Sequence, residues 1–331
     1  MSVLNQAHFH DEKAAYAFVE ARLWADGRIC PHCGTVDRSG ALNSKSDSKN
    51  KVRIGVYKCY ECRKPFTVKV GTIFESSHIK LHVWLQAMFL ISSSKKGVSA
   101  NQLHRTLGIT LKSAWFLSHR IREAMRDGAF DLLGGEGKIV EADETYYGNK
   151  SGPAPTHNAW GTPYPAGKGG AKRAHKCAIV SLVERGGKIR SFHVDRADKA
   201  TVARIVVENV AKESHLHTDE SLLYKGAEAH VAEHHSVRHA NKEYVRGNVH
   251  NNSVEGSFGI FKRGMKGVYQ HCDEKHLHRY LSEFDFRYNN RTALGYNDED
   301  RTATLLRGVV GKRLTYERIG KAKDAREKAT A

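Results

Sequence analysis

The chain contains no apolar run long enough to cross a bilayer. Its longest, around Val83 to Ile91, falls far short of the ~20 residues that the hydrocarbon thickness demands. Met1-Ser2-Val3-Leu4-Asn5-Gln6 offers neither a basic start nor an apolar stretch behind it, so secretion is not expected. Cysteine is scarce, six in 331 residues. Four of the six form two Cys-x-x-Cys pairs and the others, Cys177 and Cys272, stand apart, which is not how a disulfide framework is built and fits a reducing compartment. Acidic residues are in deficit, 36 against 53 Lys and Arg, for a net charge of +17. With 40% hydrophobic residues the chain can build real cores, and its length suggests two or three domains.

The charge is unevenly placed. Residues 1–137 carry 20 basic and 12 acidic side chains, residues 138–300 carry 24 and 21, and residues 301–331 carry 9 and 3. Two basic flanks around a nearly balanced middle suit a middle domain that holds acidic functional groups while its flanks grip a polyanion, and nucleic acid rewards many phosphate contacts.

Periodicity predicts a leading helix over 11–24, with Ala14, Phe18, Ala21 and Leu23 near helical spacing. Cys30-Pro31-His32-Cys33 and Cys59-Tyr60-Glu61-Cys62 follow, 25 residues apart, as two knuckles bridged by a hairpin. Four such thiolates can present sulfur tetrahedrally, the geometry of a closed structural zinc site, so Cys30, Cys33, Cys59 and Cys62 are predicted Zn2+ ligands. Three helices are predicted next, over 81–91, 98–107 and 110–125, the last two joined by Leu107-Gly108-Ile109-Thr110. That is a helix-turn-helix pattern, used for DNA binding and also as plain scaffolding. Its last helix carries Lys112, Ser113 and Arg120, read as candidate DNA contacts. The core side of that helix is expected to be Leu111, Ala114, Leu117, Ile121 and Met125.

Beyond the Gly-rich linker 127–138 the apolar period changes from 3.6 to 2. Strands are expected over 138–147, 176–183, 188–194, 216–219 and 236–240, with helices over 199–211, 252–265 and 274–290. Asp143 lies within the first strand, Asp219 ends the fourth and Glu255 sits on a later helix. Three carboxylates so placed can hold two divalent cations, Mg2+ or Mn2+, roughly 3.5 to 4 Å apart for phosphodiester chemistry. Glu144 should point to the opposite strand face, because strand side chains alternate. Lys262, two helical turns after Glu255 on the same face, can contact a phosphate, with Arg263 beside it. Lys168, Lys172 and Arg173, in the long loop 148–175, can follow a DNA backbone. Asn252 or Ser253 is a natural cap for the Glu255 helix, and His250 can position substrate or that helix. Histidines 230, 234, 235 and 239 include i,i+4 pairs, yet no carboxylate or cysteine completes a set, so they read as a solvated face.

Glu141-Ala142-Asp143-Glu144-Thr145-Tyr146-Tyr147-Gly148, Thr218-Asp219, His250 through Phe258, Lys262-Arg263-Gly264 and the segment His276-Leu277 to Arg287-Tyr288-Asn289 occur in that order. Over roughly residues 20–295 the chain resembles the DDE transposases of bacterial insertion sequences, in particular those that join an N-terminal zinc ribbon to a ribonuclease H-like, retroviral integrase-like catalytic domain. The resemblance implies an α/β fold: a ribonuclease H-like mixed sheet with flanking helices, preceded by a zinc ribbon and a small helix-turn-helix unit. It implies that Asp143, Asp219 and Glu255 are the catalytic triad and that Lys262 occupies the family's basic position. The domain expectation is 1–75 leading helix and ribbon, 76–130 helix-turn-helix, 137–295 catalytic domain and 296–331 basic tail. The implied activity is metal-dependent cleavage and strand transfer of double-stranded DNA, element ends and target, by a homodimer or higher oligomer in the cytoplasm near the nucleoid. The rivals are a ribonuclease H-like nuclease or resolvase without strand transfer, and a non-catalytic zinc-ribbon DNA-binding regulator.

Overall fold

A computed structural model describes residues 3–43, 52–126, 128, 131–152, 156–157, 162–163, 175–238, 243 and 245–315. Lys168, Lys172, Arg173, His239 and the tail beyond residue 315 lie outside the described residues. Two compact units emerge: Met1–Ser93 with Ser99–Met125 and Asp298–Ala331, and Ser94–Val98 with Arg126–Asn297.

In the first unit, helix α1 (Glu12–Leu23) starts at Asp11, whose carboxylate accepts from the Ala14 amide at 2.7 Å. It buries Ala15 and Val19 rather than the expected Ala14, Phe18, Ala21 and Leu23, a face shifted by one residue. Phe18 instead stacks on His8 at 3.7 Å between ring centres. Strands β1 (Ser39–Ala41), β2 (Tyr57–Cys59) and β3 (Pro65–Phe66) form an antiparallel sheet in that order, the ribbon hairpin. Helix α2 (Leu81–Ser93) has no local cap residue; Glu12 serves from α1, accepting from the Leu81 and His82 amides at 2.9 and 3.2 Å.

Helices α3 (Ala100–Leu107) and α4 (Leu111–Met125) meet at Gly108, whose φ of 64° is the left-handed C-cap that glycine adopts without strain. The polar and apolar faces of α4 depart from expectation: Leu111 is 44% exposed, while Arg120 and Arg122 are buried. The segment expected as a basic tail begins as helix α8 (Asp298–Arg307), which buries Leu305 and Leu306 and packs on α2, with a 3.0 Å contact between the Ser92 and Thr302 hydroxyls. The polar register of its first turn, Asp298-Glu299-Asp300, suits a helix N-terminus.

The second unit is a five-stranded mixed sheet in the order β6-β5-β4-β7-β8. Its strands are β4 (Ile139–Asn149), β5 (Lys176–Glu184), β6 (Ile189–Val194), β7 (His215–Thr218) and β8 (Glu233–Ser236). β4 lies antiparallel to β5 and parallel to β7. The last strand ends at Ser236 rather than starting there; its backbone pairs with β7 from His215↔Glu233 to Thr218↔Ser236.

Alternation decides which residues face which helices. Val140, Ala142, Val180 and Leu182 point to one face and pack against α5 (Lys199–Asn209) through Val202, Ile205 and Val206. Cys177, Ile179 and Val183 point to the other, against α6 (Asn252–Gly264) and α7 (Leu277–Asn289) through Val254, Phe258, Phe261 and Leu281. The free edge of β6 is covered by α7: Asp285 accepts from the Ser191 amide at 2.7 Å, and Asn289 both accepts from the Ile189 amide at 2.7 Å and donates to its carbonyl at 3.0 Å. Two side chains four residues apart thus replace a sixth strand. Glu283 is fully buried against Arg287 and the Tyr269 hydroxyl, which explains the charged residues of this otherwise core-facing helix.

Candidate active site

The ribbon is assembled locally. Cys30 and Cys62 sulfurs lie 3.7 Å apart, as do those of Cys33 and Cys59, and all four fall within 4.8 Å of one another. Four sulfurs ~2.3 Å from a central zinc at tetrahedral angles stand ~3.8 Å apart, so the four fit that ion. The turn after each pair is left-handed, at Gly34 (φ 76°) and Arg63 (φ 62°), which curls backbone amides toward the sulfurs. The Thr35 hydroxyl and amide lower the Cys33 thiol to about 6, so a thiolate is available there near neutrality. Trp24, Tyr57 and Phe66 pack around the cluster.

The carboxylate site is assembled from distant segments. The parallel pairing of β4 with β7 runs Ile139↔His215, Val140↔Leu216, Glu141↔His217. Asp219 follows directly on the end of β7, near enough for its charge to act on Asp143. Glu255 joins them from the first turn of α6. Burial, then the charges of Glu144, Asp219 and Glu255, push the Asp143 carboxyl up to about 8. Such a group accepts a cation in place of its proton, so the donor set fits the hard, oxygen-seeking divalent ions Mg2+ or Mn2+. Asp143 Oδ1 accepts from the Glu144 amide at 2.7 Å and Asp219 Oδ1 from the Ser221 amide at 2.9 Å, fixing both carboxylates. The triad oxygens do not form a group within 4.8 Å, as the ribbon sulfurs do. Glu144, as alternation required, turns to the other face and accepts from the buried Tyr224 hydroxyl at 3.1 Å.

Three residues that had no assigned role hold this arrangement. Glu141, fully buried two residues before Asp143, accepts from the Ser253 and Val254 amides at 2.8 and 3.1 Å and from the Ser253 hydroxyl at 3.0 Å. It therefore caps the Glu255 helix from a strand 112 residues away, where a local Asn252 side-chain cap was expected. Arg185, in the β5–β6 turn, donates to Glu141 at 2.9 Å and to the Asn248 carbonyl at 2.9 Å, and it lies 3.3 and 3.2 Å from the Nδ1 atoms of His217 and His250. Burial and then Arg185 lower His217 to about 4, so it stays neutral and its Nδ1 accepts. The Asn251 side-chain amide, 2% exposed, donates to the Ala142 carbonyl at 3.3 Å; turned end for end it accepts from the Asp219 amide at 2.9 Å and donates to the His217 and His250 carbonyls at 3.1 and 3.2 Å, which satisfies both of its polar atoms. His250 thus belongs to the helix-positioning cluster. The sequence signal for Glu141 was its period-2 relation to Asp143, a charge on the buried strand face; Arg185 and Asn251 gave no signal of their own.

Lys262 lines a cavity of about 750 Å³ with Tyr146, Lys150, Lys266, Cys272 and Glu274, and Arg263 beside it is exposed. Lys112 is exposed on α4 and Ser113 is half-buried, its hydroxyl accepting from Thr110 at 2.9 Å. Arg120 corrects its expectation as a DNA contact: it is 5% exposed, donates to the Glu75 carbonyl at 2.6 Å and sits over the Trp84 and Phe116 rings, which keeps its guanidinium from a phosphate. Among the histidines read as a solvated face, His235 does find a carboxylate: Glu233 accepts from it at 2.9 Å and from His215 at 3.0 Å.

The mixed sheet carries Asp143 within β4 and Asp219 just past the end of β7, and a four-cysteine ribbon precedes it. Residues 132–289 match the ISXO2-like transposase domain family and residues 10–65 the transposase zinc-ribbon domain family. The two matched regions mark a DDE-type transposase domain preceded by a transposase zinc ribbon. It is similar to an uncharacterized protein in transposable element ISH50 of Halobacterium salinarum, 24% identical over 292 residues that cover 84% of this chain and 91% of that one. Among solved structures it is similar to a simian T-cell lymphotropic virus intasome in complex with PP2A regulatory subunit B56 gamma, with 14% identity and a TM-score of 0.28 over 55% of this chain. The chain spans 63% of that protein's length. No helix among the described residues is long and apolar enough to cross a membrane.

Proposed function

We propose that the chain cleaves insertion-sequence ends and joins them to target DNA. The observation that carries this reading is the placement of Asp143 on β4, Asp219 just past β7 and Glu255 in the first turn of α6 within the region that matches the ISXO2-like transposase domain, a concentration of negative charge that a divalent cation neutralises. Asp143, Asp219 and Glu255 would hold Mg2+ or Mn2+, which activates an attacking oxygen and stabilises the leaving one. Hydrolysis breaks a phosphodiester bond at the element end and frees a 3′-hydroxyl. That hydroxyl then attacks a target phosphate, releasing the target's own 3′-oxygen, so one P–O bond forms as another breaks. Lys262 contacts a phosphate beside the triad. Glu141, Arg185 and Asn251 keep the Glu255 helix against β4 and β7, which supplies the fixed geometry in-line displacement needs. Exposed Lys112 and Arg263 contribute phosphate contacts, and the ribbon's structural zinc keeps Cys30, Cys33, Cys59 and Cys62 folded as one knuckle pair. Joining two ends calls for a dimer or higher oligomer on DNA.

The test incubates purified protein with DNA from the gene's own flanks and Mg2+ or Mn2+, comparing wild type with Glu255→Gln. Joined products from the wild type, absent from the variant, support the proposal. Cleaved ends without joining favour a nuclease, and sequence-specific binding without either product favours a regulator.

A further inference from the structure

A second group of metal-type donors lies in the catalytic unit, away from the carboxylate triad. Cys177 on β5, His193 on β6 and Glu274 at the turn entering α7 bring a sulfur, an imidazole nitrogen and a carboxylate oxygen within 4.8 Å of one another. Strand geometry explains the first two. His193 pairs with Ile179, so it shares the sheet face of Cys177 and is its diagonal neighbour across β5 and β6. Glu274 arrives from the segment between α6 and α7 and is held there by the Ser151 amide, which donates to Oε2 at 2.7 Å.

Ordinary packing does not account for this group. Nε2 of His193 is buried and has no hydrogen-bond partner, an arrangement that leaves a polar atom uncompensated. Cys177 is fully buried. The contrast is with His215, Glu233 and His235, also mutually close, where Glu233 already binds both imidazoles and nothing is left over. We propose that Cys177, His193 and Glu274 bind a zinc ion, with a fourth position open to water, and that this ion pins the 270–276 segment to the β5–β6 hairpin.

Zinc is the cation the donors select, because thiolate and imidazole favour a borderline-soft ion over Mg2+ or Ca2+. Bonds of ~2.0 to 2.3 Å place tetrahedral ligand atoms ~3.3 to 3.8 Å apart, so a limit of 4.8 Å leaves about an ångström of closure. Burial and the Glu274 charge raise the Cys177 thiol, opposed by Lys150 and Lys176, so zinc binding there would displace the thiol proton. Lys150 is itself held by the Asp195 carbonyl at 2.5 Å. The pinned segment supplies Cys272 and Glu274 to the wall of the cavity that Lys262 lines, so the ion would fix the shape of that wall. The site does not depend on the chain's reaction being strand transfer.

The test is metal content of the untagged full-length protein, purified from zinc-supplemented culture without chelator and measured by mass spectrometry. Wild type is expected to hold two zinc ions per chain, one in the ribbon. Cys177→Ala, which keeps the core apolar, and Glu274→Gln, which keeps the acceptor for Ser151, are each expected to hold one. Cys33→Ser is also expected to hold one, now in the catalytic unit, so a Cys33→Ser plus Glu274→Gln double variant should hold none. Wild type with a single zinc, or two zinc ions retained in both Cys177→Ala and Glu274→Gln, overturns the proposal. Retained far-ultraviolet circular dichroism in Glu274→Gln separates ligand loss from unfolding.

Discussion

The ribbon and the carboxylate site are both ligand sets, and they differ in how their repulsion is resolved. In the ribbon, four donors from 33 residues of chain meet at sulfur separations of 3.7 Å and pack under Trp24, Tyr57 and Phe66. In the second unit, Asp143, Asp219 and Glu255 come from a strand, the residue after another strand and a helix, and burial, then the charges of Glu144, Asp219 and Glu255, raise the Asp143 carboxyl to about 8. A closed thiolate set is a folding device, since its ion binds as the chain folds. An open carboxylate set stores unfavourable charge that the sheet has to restrain, and that restraint falls to neutral and cationic neighbours such as Asn251 and Arg185.

The contrast breaks first at the ribbon. Cys59→Ser removes a fully buried ligand from a segment with a core of only a few residues. Metal binding in such segments is worth ~10 to 16 kcal/mol, so the expected outcome is loss of the ribbon's zinc and rapid proteolysis between residues 25 and 70, with the catalytic unit intact. A protease-resistant ribbon in that variant would remove the folding role from the ion. Next in size is Glu141→Gln. Gln still accepts from the α6 amides but leaves Arg185 without its carboxylate, and breaking a buried pair of this kind costs about 3 kcal/mol. Arg185 keeps some solvent, which sets the cost at the lower end of such changes. Urea denaturation of the full chain measures it; an unchanged midpoint would show that the helix is held by its apolar face alone. Loss of activity beyond the loss of stability would place Glu141 among the residues that position Glu255.

The ribbon was legible in the sequence because its ligands are local and their spacing states the geometry. The sheet was legible too, since β4, β5 and β6 alternate or bury both faces over six residues or more. The last strand was misplaced because Glu233-His234-His235-Ser236 reads as polar, and only the β7 backbone beside it makes it a strand. The stretch before Asp219 likewise looked too polar for a buried strand, yet His217 and Thr218 are inside because Arg185 and His234 satisfy them. In α4 the same cause acts in reverse: Arg120 reads as a surface cation until Glu75, Trp84 and Phe116 surround it. Glu141, Arg185 and Asn251 were missed for this reason, as polar residues with partners 32 to 112 positions away.

The smallest expected effect concerns pH, and it sharpens the difference between the two ligand sets. The Asp143 carboxyl titrates near 8 in the folded, metal-free chain and near 3.8 in the unfolded one. The folded state therefore holds a proton that the unfolded state has released, so stability falls as pH rises from about 4 to 8. Asp143→Asn cannot ionise and escapes that fall. In metal-free protein at pH 8 the variant should melt higher than wild type by on the order of a few degrees, and at pH 5 the two should nearly coincide. The difference stays small because neighbouring carboxylates titrate together with Asp143 and share the repulsion. Mg2+ or Mn2+ should reverse the order, stabilising wild type but not Asp143→Asn, because the ion takes the place of the missing proton. Parallel melting curves at both pH values, with and without metal, would instead mean that the Asp143 carboxyl is not raised in the folded chain and that Asp219 and Glu255 do not share its cation.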